Sequence, residues 1–311
     1  MNPKSLCQSA GQLSGMKQLK QLALLYIGVI LGANLLLLLS DLLISQMMAD
    51  AVGLAALGKR SVLMTVQTLL QLAVSAAVPF WSYSFYQAAI LTARQQIPGK
   101  QAMLSGFHRF GPLLRMLLLE GLIATGYMML ASIGASMLYM MSPLAERAMN
   151  EIAPILMEAE SLTSDPEALN ALMEPAMEQL IKNLWPMYLL MIAAMGVLLI
   201  PWLYKLRLAP YHILDGENSA LQAMAKSQHE MYGNRFTMFK LDLCWWWYYG
   251  LLTLSALPLY AAGFFGYDNL LFWVLTLCGF GIQFLIQWQL HPRVQASYAL
   301  AYDQLKKEPQ Q

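Results

Sequence analysis

The sequence predicts an all-α polytopic membrane protein: six transmembrane helices, interfacial amphipathic helices and an extracytoplasmic two-helix cap. Three observations predict it. The 311 residues are 58% hydrophobic and 12% charged, with mean hydropathy +0.48, whereas a soluble domain carries roughly 25% charged residues. Six charge-free runs, Gln21 to Ser40, Ser61 to Ala93, Gly121 to Ala145, Asn183 to Tyr204, Leu243 to Tyr267 and Asn269 to Pro292, each reach the length of about 20 residues that crosses a bilayer. They are continuously apolar, not alternating, which selects helices over a barrel. Finally, the basic and acidic connections fall on opposite sides.

Residues 1–20 place Leu6, Ala10 and Leu13 at helical spacing between polar residues, as in a short cytoplasmic interfacial helix. Lys17 and Lys20 precede an apolar run in the manner of a secretory signal. That run is long for a signal, and its best small-residue site, Ala49-Asp50-Ala51, lies far downstream, so the first span is read as uncleaved.

Residues 21–141 hold spans one to three. Span one, Leu22 to Leu43, sets Gly28 and Gly32 four apart, a spacing that admits another helix backbone. Span two, Val62 to about Leu91, carries Gln67, Gln71 and Ser75 on one face and a kink expected at Pro79. The connection Arg94 to Arg115 has four basic residues and no acidic one, a cytoplasmic signature. Span three, about Leu113 to Met141, bears a small-residue stripe of Gly121, Thr125, Ser132 and Ser136.

Residues 142–184 carry eight acidic side chains against two basic ones, Arg147 and Lys182, and belong outside. Ser142-Pro143 and Asp165-Pro166 read as helix starts. Leu144, Ala148, Ile152 and Ile155 share one helical face, and Leu169, Leu172, Ala176 and Leu180 another, predicting two cap helices. Residues 185–292 hold span four (Leu184 to Leu203), a cytoplasmic elbow at 205–240, span five (about Leu243 to Phe265) and span six (Leu270 to Leu290). Pro292 is expected to end that helix before a polar tail, 293–311. With both termini cytoplasmic, 15 of the 19 Lys and Arg residues lie inside, as the positive-inside rule requires of a cell-membrane protein.

The elbow carries Leu208-Ala209-Pro210-Tyr211, a turn at Asp215-Gly216, Ala223 and Ser227, Met231-x-Gly233, and Phe239-x-Leu241-Asp242-Leu243 ending in tryptophan. Gly106-Phe107-x-Arg109-Phe110 and Leu13-x-Gly15 fit the same pattern more loosely. Together these resemble the bacterial integral membrane proteins grouped as domain-of-unknown-function family 975, over about a seventh of the chain. Cys244-Trp245 stands where such relatives tend to read Ser-Phe. The resemblance implies a bacterial multi-span membrane protein and no established activity. Separately, Arg109-Phe110 and Arg235-Phe236 each precede an outward span, an arrangement shared by parallel repeats and by convergent interfacial anchoring.

The candidate binding residues are ionisable or amide groups in or beside spans, where polarity is expensive. Glu120 lies roughly 10 Å into span three at helical rise. Asp242 stands beside Lys240 at the start of span five, and Arg115 begins span three. If the repeat holds, Arg115 or Lys240 neutralises Glu120 or Asp242, either in a proton-linked polar site near the inner leaflet or as structural pairing. Gln283 with Gln287, and Gln67 with Gln71, are i,i+4 amide pairs that either line a polar pathway or bond between helices. The four histidines have no helical ligand spacing, and Cys7, Cys244 and Cys278 form no disulfide framework, so no metal or other cofactor is expected. No HExxH, GxSxG or paired-carboxylate signature of an enzyme is present.

Two classes of function follow. One is a non-enzymatic scaffold or assembly factor; the other is a small-molecule or lipid transporter. The bilayer is the first partner, a homo-oligomer or second membrane protein the next candidates, and nucleic acid is not expected at net charge +1. A transporter requires a polar cavity reaching Glu120 and the glutamines; a scaffold requires a dry bundle with its polarity at the elbows and cap.

Overall fold

The computed structural model describes residues 2–49, 54–161, 166–265 and 269–307. It is 88% helix, with no strand among the described residues. Among the described residues, five helical segments are long and apolar enough to cross a membrane: Met16–Met47, Ser61–Ala93, Phe110–Met140, Ile181–Leu214 and Leu270–Lys307. Two compact units form, Met1–Met116 with Leu206–Gln311, and Leu117–Lys205.

The first unit opens with α1 (Pro3–Ala10) and α2 (Met16–Ala49). Asn2 caps α1 by accepting from the Lys4 backbone N–H at 3.1 Å. Leu6, Ala10 and Leu13 are buried, and α1 docks on the helices Arg235–Cys244 and Leu270–Lys307. Gly15 starts α2 where a Cβ would stand 3.1 Å from the Gln96 carbonyl oxygen, so the motif glycine marks a close chain crossing. Gly28 and Gly32, by contrast, face open space, and no helix approaches there.

Helix α3 (Leu54–Ala93) runs through Pro79, packs along α2, and leads through a 3₁₀ turn (Lys100–Leu104) and α4 (Ser105–His108) into α5 (Phe110–Met140). Gly106 permits α4 to sit on α3: a Cβ there would fall 2.1 Å from the Phe80 carbonyl oxygen. Gln67 donates to Asp41 across α2 and α3, while Gln71 and Ser75 are exposed. Asp41, a carboxylate within the first long apolar helix, thus gains a partner that its own sequence neighbourhood does not show.

The elbow is built from α8 (Ala209–Leu214), α9 (Ala220–Glu230) and α10 (Arg235–Cys244), which follow α7 (Pro166–Leu206). Ser219 caps α9, and Asn218 accepts instead from Arg109. Gly216 and Gly233 adopt φ +118° and +79°, which turn the chain where a side chain would be strained. Leu208 to Leu214, Ala223, Met224, Ser227 and Met231 are buried, whereas Leu221 and Ala225 are exposed, so the apolar face of α9 is narrower than its sequence suggests.

The predicted fifth span is not one helix. It is the end of α10, then α11 (Trp246–Ser255) and α12 (Leu257–Ala262). Trp245 leaves helical geometry as its indole N–H donates to Ser297 Oγ at 2.9 Å. Pro258 opens α12, since its ring and missing N–H interrupt the preceding turn. Cys244 lies against Cys7; burial, then the hydrogen bond with Cys244, pushes the Cys7 thiol up to about 12. Cys278 is exposed.

Helix α13 (Leu270–Lys307) overrides the break expected at Pro292. An interior proline costs roughly 3 kcal/mol, but Val294, Ala296, Tyr298, Ala299, Ala301, Tyr302 and Leu305 are all buried on this helix. Their burial outweighs the lost hydrogen bond. The described part of the expected polar tail, 293–307, belongs to a core helix packed on α1, α2, α3, α11 and α12.

The second unit contains the remainder of α5, α6 (Pro143–Ser161) and α7 (Pro166–Leu206) as far as Lys205. Ala131, Ala135 and Tyr139 are buried on α5, and of the predicted stripe Ser136 reaches Met187 Sδ at 3.9 Å while Gly121, Thr125 and Ser132 are exposed. Tyr139 donates to the Asn183 carbonyl at 2.8 Å, and Tyr127 packs on Trp202 at 5.8 Å between ring centroids. Ala145 and Ala148 are buried on α6, while Leu144 is exposed. The second predicted cap helix and span four are one continuous helix, α7. Asp165 and the side chains of Ile152, Ile155, Leu169, Leu172, Ala176 and Leu180 lie outside the described residues.

Candidate functional site

The polar residues of the first unit converge at two ionic networks, both anchored on the elbow. In the first, Arg94 projects from the end of α3 between Asp215, just after α8, and Asp303 on α13. Its Nη1 and Nη2 reach Asp215 at 2.6 and 2.9 Å, while Nε and Nη2 reach Asp303 at 3.1 and 2.8 Å. One guanidinium fork therefore holds two carboxylates, a geometry lysine cannot copy. Lys306 adds a second cation at 2.5 Å from Asp215, and Tyr302 donates to the same carboxylate at 3.0 Å. Two cations meet two anions, so the cluster is neutral.

Burial alone would raise the Asp215 carboxyl, but hydrogen bonds from Arg94, Lys306 and Tyr302 overcome it and hold the group well below the usual carboxylate range. The bonds to Asp215 and Asp303 correspondingly raise Arg94. The network continues through Tyr302 to His212 Nδ1 at 3.4 Å, and from His212 Nε2 to Glu230 at 3.0 Å.

The second network centres on Arg207, between α7 and α8. It forms a two-pronged pair with Asp242 of α10, its Nη2 lying 2.6 Å from Oδ1. Tyr298 donates to Asp242 at 2.6 Å, its ring lies 4.5 Å from the guanidinium carbon, and its hydroxyl meets that of Tyr249 at 2.9 Å. Tyr86 stacks on Tyr211 at 5.3 Å nearby, so tyrosines line this interior. Ser227 Oγ accepts from the Leu208 backbone N–H at 3.1 Å, fastening α9 to the start of α8.

These placements revise the sequence-level pairings. Asp242 is neutralised by Arg207, not by Lys240 or Arg115. Lys240 is exposed, with its ammonium 4.6 Å from the Phe236 ring centroid, and Arg115 is exposed on α5. Glu120 is half-buried and, among the described residues, makes no hydrogen bond or ion pair; it belongs to the second unit. Gln283 and Gln287 are half-buried on α13 without side-chain hydrogen bonds among the described residues, so the expected interhelical amide bonding is seen at Gln67 alone of the four. His291 completes a three-ring cluster with Tyr26 and Phe85, at 5.2 and 5.3 Å between centroids, and meets the Tyr248 hydroxyl at 3.0 Å, separate from the partners of His212.

No protein-family model, curated protein or solved structure matches the chain. The residues that sequence reasoning missed are Arg94, Asp215, Asp303 and Lys306, with Arg207, Tyr298 and Tyr302. A signal existed: carboxylates are sparse among the predominantly basic connections, and Arg94 and Arg207 stand where apolar runs end. A sparse acid beside a boundary arginine is an expected partner when both leave water.

Proposed function

We propose that this chain is a non-enzymatic integral membrane scaffold or assembly factor. Its six spans place both termini and the elbow in the cytoplasm of a bacterial cell, and α10 to α12 form a broken fifth crossing. The observation that carries this reading is the neutral double clasp. Charges that a transporter would present to cargo are instead consumed in joining α3, the elbow and α13, while α3 keeps an exposed apolar face at Val62, Val66, Leu69 and Leu72. Lipid tails are as apolar as leucine, so such a face associates through close packing and polar contacts, not through escape from water. The elbow's likeness to domain-of-unknown-function family 975 belongs to the same reading, as does the acidic extracytoplasmic cap.

Glu120 favours the second reading, a small-molecule or lipid transporter, because an unpaired acid within a membrane-length helix is a functional signal. Complementation of a deletion strain separates the two. The scaffold reading expects Glu120→Gln to restore the wild-type lipid and metabolite profile, and Arg94→Gln to fail despite normal synthesis. A defective Glu120→Gln variant at normal abundance would replace the scaffold with the transporter.

A further inference from the structure

A cleft of about 570 Å³ lies where the start of α1 meets the end of α10, apart from both ionic networks. Asn2, Pro3, Lys4, Lys240, Leu243, Cys244 and Trp246 line it, with no acidic residue. Neither the Lys4 nor the Lys240 ammonium has a carboxylate partner among the described residues. Leu243 and Trp246 are 50% and 68% exposed. Two unneutralised cations beside an apolar wall and an exposed indole match a ligand that is anionic at one end and hydrocarbon at the other.

We propose that this cleft binds the headgroup of an anionic phospholipid, with the phosphodiester between Lys4 and Lys240 and the first acyl carbons against Leu243 and Trp246. The apolar wall selects lipid over free phosphate. The elements also place it suitably: α10 ends at Cys244 and the exposed Trp246 and Trp247 follow, the residue type that settles at headgroup level. The inference rests on the membrane reading above, but not on the choice between scaffold and transporter. It gives Lys240 a lipid-facing role in place of pairing with Asp242.

The test uses the full chain in nanodiscs, with native mass spectrometry of retained lipid and probes of phosphatidylglycerol, phosphatidylcholine and inorganic phosphate. Each lysine near an anionic lipid surface changes binding by about fivefold, so Lys4→Gln with Lys240→Gln should lower phosphatidylglycerol retention about thirtyfold. Phosphatidylcholine retention should not change, and millimolar phosphate should not compete. Lys100→Gln, an exposed lysine outside the cleft, should match wild type, and equal melting temperatures would show that the double variant is folded. Equal retention of the two lipids, an unaffected double variant, or displacement by phosphate alone would overturn the proposal. None of these results bears on complementation by Glu120→Gln, so failure here is distinguishable from failure of the scaffold reading.

Discussion

Arg94→Gln is the most informative single perturbation, because it withdraws one cation from two carboxylates. The Arg94 side chain is 31% exposed, and Asp215 and Asp303 are 12% and 14% exposed. Exposed pairs contribute about 0–1 kcal/mol, and breaking a buried one costs about 3–5 kcal/mol. Partial exposure places this loss between them, at about 2 kcal/mol, with Lys306 still holding Asp215. At about 2–4 °C per kcal/mol for a large domain, the midpoint should fall by about 4–8 °C at neutral pH. The assay is thermal unfolding of the micelle-solubilised protein followed by circular dichroism.

The pH dependence supplies an independent check. Asp215 titrates below its ordinary range in the folded chain and near about 3.9 when unfolded. As pH falls the unfolded chain takes up that proton first, so the stabilisation is present above about pH 4 and drains below it. The gap between wild type and Arg94→Gln should therefore narrow below about pH 4. Adding Asp303→Asn to the variant should recover part of the loss, because one uncompensated charge is removed. An unchanged midpoint at neutral pH, or a gap independent of acid, would refute the clasp.

Three other outcomes are expected. Tyr298→Phe deletes a hydrogen bond to a charged acceptor, Asp242, together with the one shared with Tyr249, and the first alone should cost about 1.5–3 kcal/mol, read from the same melts, whereas Lys240→Gln should leave stability unchanged since Arg207 holds Asp242. Gly106→Ala would place a methyl 2.1 Å from the Phe80 carbonyl oxygen; overpacking costs about 1–3 kcal/mol or more, so size-exclusion chromatography should show loss of the monodisperse protein, while Gly111→Ala, in open space, should behave as wild type. Cysteines introduced between 142 and 185 should react with an impermeant thiol reagent in intact cells, and one at Lys226 should not; reversed labelling would overturn the topology.

Much of the helical frame was legible in the sequence, and the errors have physical causes. The apolar runs mark the long helices because charge-free length is a one-dimensional property. The break at Pro292 was misplaced because local proline chemistry competes with the burial of Tyr298, Ala299 and Tyr302, which belongs to the fold. The reverse happened at Trp245: an uninterrupted apolar run is broken because its indole reaches Ser297, 52 residues away.

The same division holds for the site. Sequence alone determined the class of structure, the membrane-length helices and which carboxylates stand beside apolar runs, since each depends on composition within a window of residues. Only tertiary structure decided which cation meets which anion. Asp242 chose Arg207 over neighbouring Lys240, and Arg94 joined Asp215 to Asp303 across separations of 121 and 209 residues. A planar guanidinium satisfies two carboxylate oxygens at once, so geometry in space outweighs proximity along the chain.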